Sequence, residues 1–195
     1  MKLIKVIIFL SISFNTSLKA NSNDNLQNIL SEGGKLIFIR HAHAPGSGDP
    51  DNFDILNCAS QRNLNKEGIE QAKAIGKLFL KNHIKRSIVL SSEWCRCKQT
   101  AKYAFKNYET KNFLNSFYSK KFSHNKYTQI YELRDYIQKW NGKGNLIFVT
   151  HYVVILEILN LSVSSGEIIV TDKELNIYNA LCCNFGNFKP IYGIR

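Results

Sequence analysis

The sequence predicts an α/β fold, a three-layer sandwich in which helices cover both faces of a mostly parallel central sheet. Two observations predict it. Short apolar runs alternate with longer segments of helical periodicity along most of the chain, as in strand–helix–strand units. Three of these runs, at 35–40, 87–91 and 145–150, are rich in aliphatic and aromatic residues and lead into polar ones. Right-handed crossovers would bring the carboxyl ends of such strands to one edge of the sheet, where ligands bind.

The first 20 residues have the pattern of a secretory signal peptide. Lys2 and Lys5 precede and interrupt an apolar stretch from Leu3 to Phe14, and the small residue Ala20 stands at a plausible cleavage point. Polar residues interrupt the stretch, which is therefore shorter than the ~20 apolar residues of a transmembrane helix. We predict an exported, periplasmic protein that loses residues 1–20, with an uncleaved N-terminal anchor as the alternative.

After that segment we expect a polar lead-in over 21–34 and a single domain over 35–195. The chain has 195 residues, of which 44% are hydrophobic, enough for one ordinary core. Loss of residues 1–20 would remove three lysines and no acidic residue, which lowers the formal net charge from +11 to +8. A basic protein suits an anionic partner. Most lysines are scattered, however, and the densest patch, around 120–126, is too short to indicate nucleic acid.

A helix is predicted at 66–82, after the long loop 42–64. Asn65 is a good N-cap, and apolar side chains then recur on one helical face: Ile69, Ala72, Ile75, Leu78 and Phe79. A second helix begins after Ser92. Segment 109–126 lacks periodicity, which indicates an irregular segment or a flap over a ligand pocket. The remaining predicted elements are a helix at 127–140, a buried helix at 152–161, and strands at 168–170 and 175–178.

Basic side chains lie at or after the ends of the predicted strands at 35–40, 87–91 and 145–150. Arg40 and His41 end the first strand, Arg96 comes shortly after the second, and His151 follows the third. A phosphate monoester carries about −1.5 to −2 charges at neutral pH, and arginine binds it through two parallel hydrogen bonds. A neutral imidazole can attack phosphorus to form a phosphohistidine, and a second histidine can donate to the transferring group. These residues predict a phosphoryl-transfer site that needs no metal, because the arginines supply the positive charge.

The same residues lie in motifs that resemble those of a known family. The motifs are Arg40-His41-Ala42, the run SSEWCRCKQTA from Ser91 to Ala101, and Val149-Thr150-His151. They are similar to the signatures of the histidine phosphatase superfamily, whose fold is called phosphoglycerate-mutase-like, and 63–72 resembles that family's entry into its first helix. The resemblance implies that His41 is phosphorylated during turnover, that Arg40, Arg96 and His151 hold the phosphoryl group, and that no cofactor is required.

A further basic residue, Arg62, is a candidate for substrate binding, although it could instead pair with Asp51 or Asp54. The segments at 44–50 and 61–64 look like those of exported bacterial members of the superfamily. Some of those members act on phosphates of the cell envelope.

The sequence departs from the superfamily in ways that leave the general acid open. Ala42 stands where members often have glycine, and Glu93 stands where they often have proline. The acidic residue that protonates the leaving group in many members has no clear counterpart, and Asp49 and Glu109 are weak candidates. A substrate with a good leaving group needs no strong acid.

The chain has five cysteines: Cys58, Cys95, Cys97, Cys182 and Cys183. An exported protein can hold disulfides, and an odd number leaves at least one cysteine over. We favour a bridge from Cys58 to Cys95 or Cys97, because both loops would lie near the same pocket. Two metal sites are disfavoured alternatives. A zinc knuckle formed by Cys95 and Cys97 lacks the usual zinc spacing. A site formed by His41, His43 and His151 is disfavoured because arginines lie next to these histidines.

Together these observations favour hydrolysis of a phosphomonoester through a covalent phosphohistidine on His41. The expected partner is a small phosphorylated substrate or a cell-envelope phosphate, with no nucleic acid and no integral membrane segment after signal cleavage. Two alternatives stay open. A non-catalytic module that binds phosphate or another anion is favoured by the missing acid, and a phosphoryl-transferring mutase is disfavoured by export.

Overall fold

The computed structural model describes residues 28–184 and 187–193. Within these residues one seven-stranded sheet has the order β3-β2-β4-β1-β5-β6-β7. Its strands are β1 Leu36–Arg40, β2 Arg86–Ser91, β3 Glu109–Thr110, β4 Asn145–Thr150, β5 Ile168–Thr171, β6 Ile177–Asn184 and β7 Asn187–Gly193. The α-helices that lie wholly within the same ranges are α1 Lys66–Lys81, α2 Cys95–Phe105, α3 Lys126–Lys139 and α4 Tyr152–Leu159.

The sheet has a parallel half and an antiparallel half. β1 pairs in parallel with β4, β4 with β2, and β2 with β3. β5, β6 and β7 are added in antiparallel fashion on the other side of β1. Helices α1 and α2 pack on one face of the sheet, and α3 and α4 pack on the other. The predicted α/β three-layer fold is confirmed, with a mixed sheet in which three of the six described strand pairings are parallel, and the parallel half contains the three strands expected to carry the basic residues.

The unbroken apolar runs of the central strands follow from this layering. Ile37 and Ile39 of β1 belong to the core cluster under α1 and α2, whereas Leu36 and Phe38 belong to the cluster under α3 and α4. All four side chains are fully buried. Successive strand residues point to opposite faces, so a strand covered on both faces is apolar at every position.

Helix α1 confirms the helix predicted at 66–82. The Asn65 side chain accepts a hydrogen bond from the Gly68 amide at 2.9 Å, as an N-cap does. The predicted apolar face is the buried one, with Ala72, Ile75 and Phe79 in the core. This helix therefore follows directly from local sequence signals.

Two strands were absent from the sequence prediction. β3 consists of only Glu109 and Thr110, both exposed, so it has no alternation of apolar and polar residues. β7 contains Pro190, a residue that disfavours strands except at a sheet edge, and β7 is an edge strand. The rest of segment 109–126 is irregular as predicted, apart from single 3-10 turns at Asn112–Leu114 and Ser123–Asn125.

The described part of the predicted lead-in contains a helical turn at 28–32. Leu30 is 2% exposed within the core, and the Asn145 side-chain amide donates to the Leu30 carbonyl at 2.7 Å. The predicted signal peptide at 1–20 lies outside the described residues. No helix in the described ranges combines the length and the apolar character needed to cross a membrane.

Candidate active site

The parallel half of the sheet brings the predicted basic residues together at one edge. His41 follows β1, His151 follows β4 as the N-cap of α4, and Arg96 lies in the first turn of α2, just after β2. Arg96 Nε lies 3.2 Å from His41 Nε2, and Arg96 Nη2 lies 3.5 Å from His151 Nδ1. The three side chains line one cavity of about 320 Å³, together with Arg40 and Arg62. All five residues that the sequence singled out therefore meet at one place.

His41 presents a neutral nitrogen to this cavity. Its Nδ1 lies 2.8 Å from the Ala42 carbonyl oxygen, so Nδ1 carries the proton and donates it. Nε2 is left with a lone pair, which accepts the hydrogen bond from Arg96 Nε. Burial lowers the pKa of His41 well below its ordinary value, and the positive charge of Arg96 lowers it further. The unprotonated Nε2 is the form that can act as a nucleophile.

His151 has the opposite tautomer. Ser92 Oγ donates to Asn115 Oδ1 at 3.0 Å, so it accepts from His151 Nε2 at 2.9 Å. His151 Nδ1 is then an acceptor that faces Arg96. Burial lowers the pKa of His151 well below its ordinary value, followed by the charge of Arg96. His151 could donate to an anion in the cavity only after it takes up a proton on Nδ1.

Arg96 is held by a carboxylate inside the same cavity. Its Nη1 contacts Asp49 Oδ1 at 2.6 Å and its Nη2 contacts Asp49 Oδ2 at 3.2 Å. Trp94 Nε1 also donates to Asp49 Oδ2, at 3.0 Å. The Arg96 side chain is 4% exposed and that of Asp49 is 16% exposed. Asp49 thus occupies the two-pronged guanidinium face that would bind two phosphate oxygens.

The two weak candidates for a general acid, Asp49 and Glu109, lie in different places relative to the cavity. Asp49 lines the cavity. Glu109 lies on β3, pairs with Lys111 at 3.5 Å and does not line the cavity. The candidacy of Glu109 was therefore wrong, because β3 lies at the edge of the sheet, away from the carboxyl end of β1.

Arg40 reaches the cavity from β1. Its Nη1 donates to the Val163 carbonyl at 2.7 Å, and its guanidinium lies 5.4 Å from the centre of the Tyr152 ring. Arg40 Nε is buried and has no acceptor among the described residues. Burial lowers the pKa of Arg40, although Tyr152 opposes the shift.

Arg62 also lines the cavity and pairs with neither Asp51 nor Asp54 among the described ion pairs. It is anchored by the loop instead, because its Nε donates to the Gly48 carbonyl at 2.8 Å and its Nη1 donates to the Ala44 carbonyl. Burial lowers the pKa of Arg62, and Arg96 lowers it further. The expectation that Arg62 lines the pocket agrees with this position, and the alternative ion pair is wrong.

Several lining residues were not singled out as site residues. Segment 109–126 closes one side of the cavity with Ser116, Tyr118 and Phe122, as the predicted flap would, but nothing in the sequence marks these three. His43 lines the cavity too. Asn115 acts behind the lining, since it orders Ser92, and no spacing rule would find it.

A disulfide joins Cys58 to Cys95 with a Cα–Cα distance of 5.7 Å. This is one of the two pairings expected for Cys58. It ties the loop after β1 to the residue directly before Arg96. Cys97 is free and buried, with its Sγ 3.4 Å from His151 Nε2, and burial raises its pKa to about 12. The side chains of Cys182 and Cys183 lie outside the described part of the structure.

The disfavoured metal sites were a knuckle at 95–97 and a histidine cluster. Cys95 is taken up by the disulfide. Within the described residues no group of three or more His, Cys, Asp or Glu side chains is arranged to hold a metal ion.

Comparisons with known proteins agree with this fold. The sequence model of the histidine phosphatase superfamily (branch 1) matches residues 36–115. The solved structure of the protein histidine phosphatase SixA complexed with tungstate is 13% identical, with a TM-score of 0.53 over 80% of this chain and 94% of that one. No curated protein matches the chain significantly.

Two further solved structures share the fold. Rv3214 from Mycobacterium tuberculosis is 14% identical, with a TM-score of 0.52 over 81% of this chain and 95% of that one. TTHB049 from Thermus thermophilus is 12% identical, with a TM-score of 0.54 over 76% of this chain and 99% of that one. At these identities the likeness shows the shared fold alone. Together with the family match over residues 36–115, this shared fold supports the superfamily resemblance that the motifs carry.

Proposed function

We propose that the protein is a phosphatase that hydrolyses a phosphomonoester through a covalent phosphohistidine on His41. The observation that carries the proposal is the unprotonated His41 Nε2, held 3.2 Å from Arg96 Nε in a cavity lined by three arginines. In the first step Nε2 attacks phosphorus, an N–P bond forms, and the ester P–O bond breaks; the leaving oxygen then takes a proton from water and departs as an alcohol. In the second step water attacks phosphorus, the N–P bond breaks, and inorganic phosphate leaves.

The hydrogen bond from His41 Nδ1 to the Ala42 carbonyl stabilises the positive imidazole that forms during attack. Arg40, Arg62 and Arg96 offer the charge that a dianionic phosphoryl group requires, so the proposed reaction needs no metal. His151 would donate to the transferring group from Nδ1 once a bound dianion has raised its pKa. A bound phosphate would therefore be accompanied by uptake of a proton.

The proposal also concerns the leaving group and how it is protonated. Asp49 lines the cavity, but both of its oxygens accept hydrogen bonds from Arg96 and Trp94. It would have to leave Arg96 to protonate an alkoxide. We therefore propose substrates whose leaving group departs with little help, and the natural one is a small phosphorylated molecule or a cell-envelope phosphate. Export to the periplasm remains part of the proposal, supported by the pattern at 1–20 and by the Cys58–Cys95 disulfide.

The decisive experiment is hydrolysis of p-nitrophenyl phosphate by the protein from residue 21 onward, with a metal chelator present. We expect turnover that His41→Ala lowers by roughly a thousandfold or more, because the nucleophile is lost. Acid-labile phosphate on the parent protein, absent from the variant, would identify the intermediate. His124→Ala is the matched control, since His124 is exposed and is absent from the lining of the cavity that holds His41.

The same assay separates the two alternatives. A protein that binds phosphate or vanadate without turnover would be an anion-binding module, which the Asp49–Arg96 pair favours. Transfer of the phosphoryl group to a second alcohol rather than to water would identify a mutase. Either result would overturn the hydrolase proposal.

A further inference from the structure

A second cavity adjoins the one that holds His41. Its volume is about 330 Å³, and it shares Trp94, Ser116 and Phe122 with the first cavity. The rings of Trp94 and Phe122 meet edge to face with their centres 5.4 Å apart, so they stand between the two spaces. We propose that this second cavity binds a sugar unit, an uncharged ring with several hydroxyl groups, beside the phosphate pocket.

The two cavities differ in charge. The first is lined by three arginines and three histidines. The second is lined by amides, hydroxyls and one carboxylate, and none of its described lining residues is Lys, Arg or His. The polar residues are Asn112, Asn115, Ser116, Asn125, Thr128, Gln129 and Glu132. The Glu132 carboxylate opposes a second anion, so the lining suits a neutral ligand.

Polar groups in the second cavity have unused hydrogen-bonding capacity. Gln129 is 7% exposed, and its Nε2 donates to the carbonyls of Asn112 at 2.6 Å and Asn115 at 3.3 Å. The buried Gln129 Oε1 has no partner among the described residues. Leaving such an acceptor unpaired is costly. Because this atom is closed to solvent, a ligand donor would pair with it only after the Gln129 amide shifts toward the cavity.

Four other lining side chains also lack hydrogen bonds to any residue that the structure describes: Asn112, Asn125, Thr128 and Glu132. Amides and hydroxyls both donate and accept, as sugar hydroxyls do. Phe122 and Ile55 line the same cavity and offer apolar surface to the C–H face of a ring. A purely apolar ligand would leave the amides unpaired, which is why a polyhydroxylated ring fits best.

The sugar could come from two sources. It could be part of the phosphorylated substrate, with its phosphate in the first cavity, and that version rests on the proposed function. It could also belong to a separate glycan. Binding to the second cavity does not itself require turnover, so the two proposals can fail independently.

The test is a nuclear magnetic resonance titration of the backbone amides with glucose, N-acetylglucosamine and maltose at millimolar concentrations. We expect saturable shifts at Thr128 and Gln129. The double variant Asn125→Ala/Thr128→Ala should weaken binding by roughly tenfold, because two hydrogen bonds are lost. Asn125 makes no side-chain cap to α3, so its removal leaves the helix start intact. Asn107→Ala/Thr110→Ala, in exposed positions outside both cavities, is the matched control and should bind as the parent does.

Inorganic phosphate and maltose 1-phosphate distinguish the sources, with His41→Ala used to prevent turnover. Tighter binding of maltose 1-phosphate than of phosphate, lost in Asn125→Ala/Thr128→Ala, would assign the sugar to the substrate. Shifts with maltose but equal binding of the two phosphates would assign it to a separate glycan. The absence of shifts at Thr128 and Gln129 with every sugar, or equal binding by both double variants, would overturn the proposal. Sugar binding by a protein that does not hydrolyse p-nitrophenyl phosphate would contradict the proposed phosphatase activity and leave the proposed sugar site standing.

Discussion

At the scale of single residues, Arg96 organises the cavity. Its guanidinium contacts His41 Nε2, faces His151 Nδ1 and holds both oxygens of Asp49. Its charge lowers the pKa of both histidines, after burial. The proposed nucleophile is therefore kept unprotonated by burial and by the same side chain that would bind the phosphoryl group. Asp49 takes the place on Arg96 that a phosphate would need, so the two must compete.

We expect Asp49→Asn to strengthen the binding of inorganic phosphate by roughly fivefold to tenfold. The substitution removes the negative charge that repels phosphate and competes with it for Arg96. The asparagine keeps the shape and one acceptor for Trp94 Nε1. Turnover of p-nitrophenyl phosphate should stay within about threefold of the parent, since this leaving group needs little protonation. Competitive inhibition by phosphate and steady-state kinetics measure both quantities.

Asp49→Glu, which keeps the charge, is the control and should not tighten phosphate binding. A loss of turnover of about a hundredfold or more in Asp49→Asn, with phosphate binding unchanged, would contradict this prediction. That result would instead identify Asp49 as the general acid.

At the scale of elements, the start of α2 depends on its tie to the loop after β1. The Cys58–Cys95 bridge spans 37 residues of sequence. The Cys95 amide also donates to Gln61 Oε1 at 2.9 Å. Arg96 comes next in the chain, so the loop fixes the position of the residue that organises the cavity.

We expect Cys58→Ser/Cys95→Ser to lower the free energy of unfolding by about 3–4 kcal/mol, because a bridge over a loop of this length restricts the unfolded chain. The KM for p-nitrophenyl phosphate should rise as well, since Arg96 loses part of its support. Urea unfolding and steady-state kinetics measure the two effects. A reducing agent should change the parent in the same direction and leave the variant unchanged. Equal stability of parent and variant would show that the bridge contributes nothing.

Helices α1 and α2 approach closely at Gly76. A Cβ added there would lie 2.4 Å from the Ala104 carbonyl oxygen, a backbone atom that cannot swing away. An alanine in a helix interior normally stabilises by about 1 kcal/mol relative to glycine. We expect the reverse here, a loss of about 1–3 kcal/mol from overpacking, measured by urea unfolding. Lys77→Ala, at an exposed position of the same helix, should stay within about 0.5 kcal/mol of the parent. A stabilised Gly76→Ala would mean that the two helices can separate at no cost.

At the scale of the whole molecule, stability should depend on pH through the two buried histidines. The pKa values of His41 and His151 lie well below the ordinary value of 6.5. Below that pH the unfolded chain binds protons that the folded protein does not, so the free energy of unfolding falls as the pH falls. The loss continues down to the lowered pKa of each residue and amounts to at most about 1.4 kcal/mol per histidine per pH unit.

Urea unfolding at a series of pH values between about 7.5 and 5.5 checks this dependence. His151→Gln should reduce the slope, because one of the two groups is gone. His124→Gln, at an exposed site, should keep the slope of the parent. An unchanged slope in His151→Gln would show that other groups dominate the acid sensitivity.

The sequence by itself determined the fold class and most of the candidate site. Local sequence signals mark β1, β2, β4 and α1. A strand covered on both faces is a run of apolar residues, and an Asn N-cap marks the start of a helix. Arg40, His41, Arg96 and His151 could be predicted because each stands at the end of such a strand or shortly after it. The topology rules then bring those strand ends together.

The tertiary structure decided what the side chains do to one another. The Asp49–Arg96 pair, the tautomers of His41 and His151, and the choice of Cys95 over Cys97 for the disulfide depend on distances between segments far apart in sequence. The same holds for the second cavity, whose lining comes from segment 109–126, α3, Trp94 and Ile55. Local patterns set where a chain turns and which face it buries. Only the packed molecule sets which polar atoms are left without a partner, because that depends on every element around them.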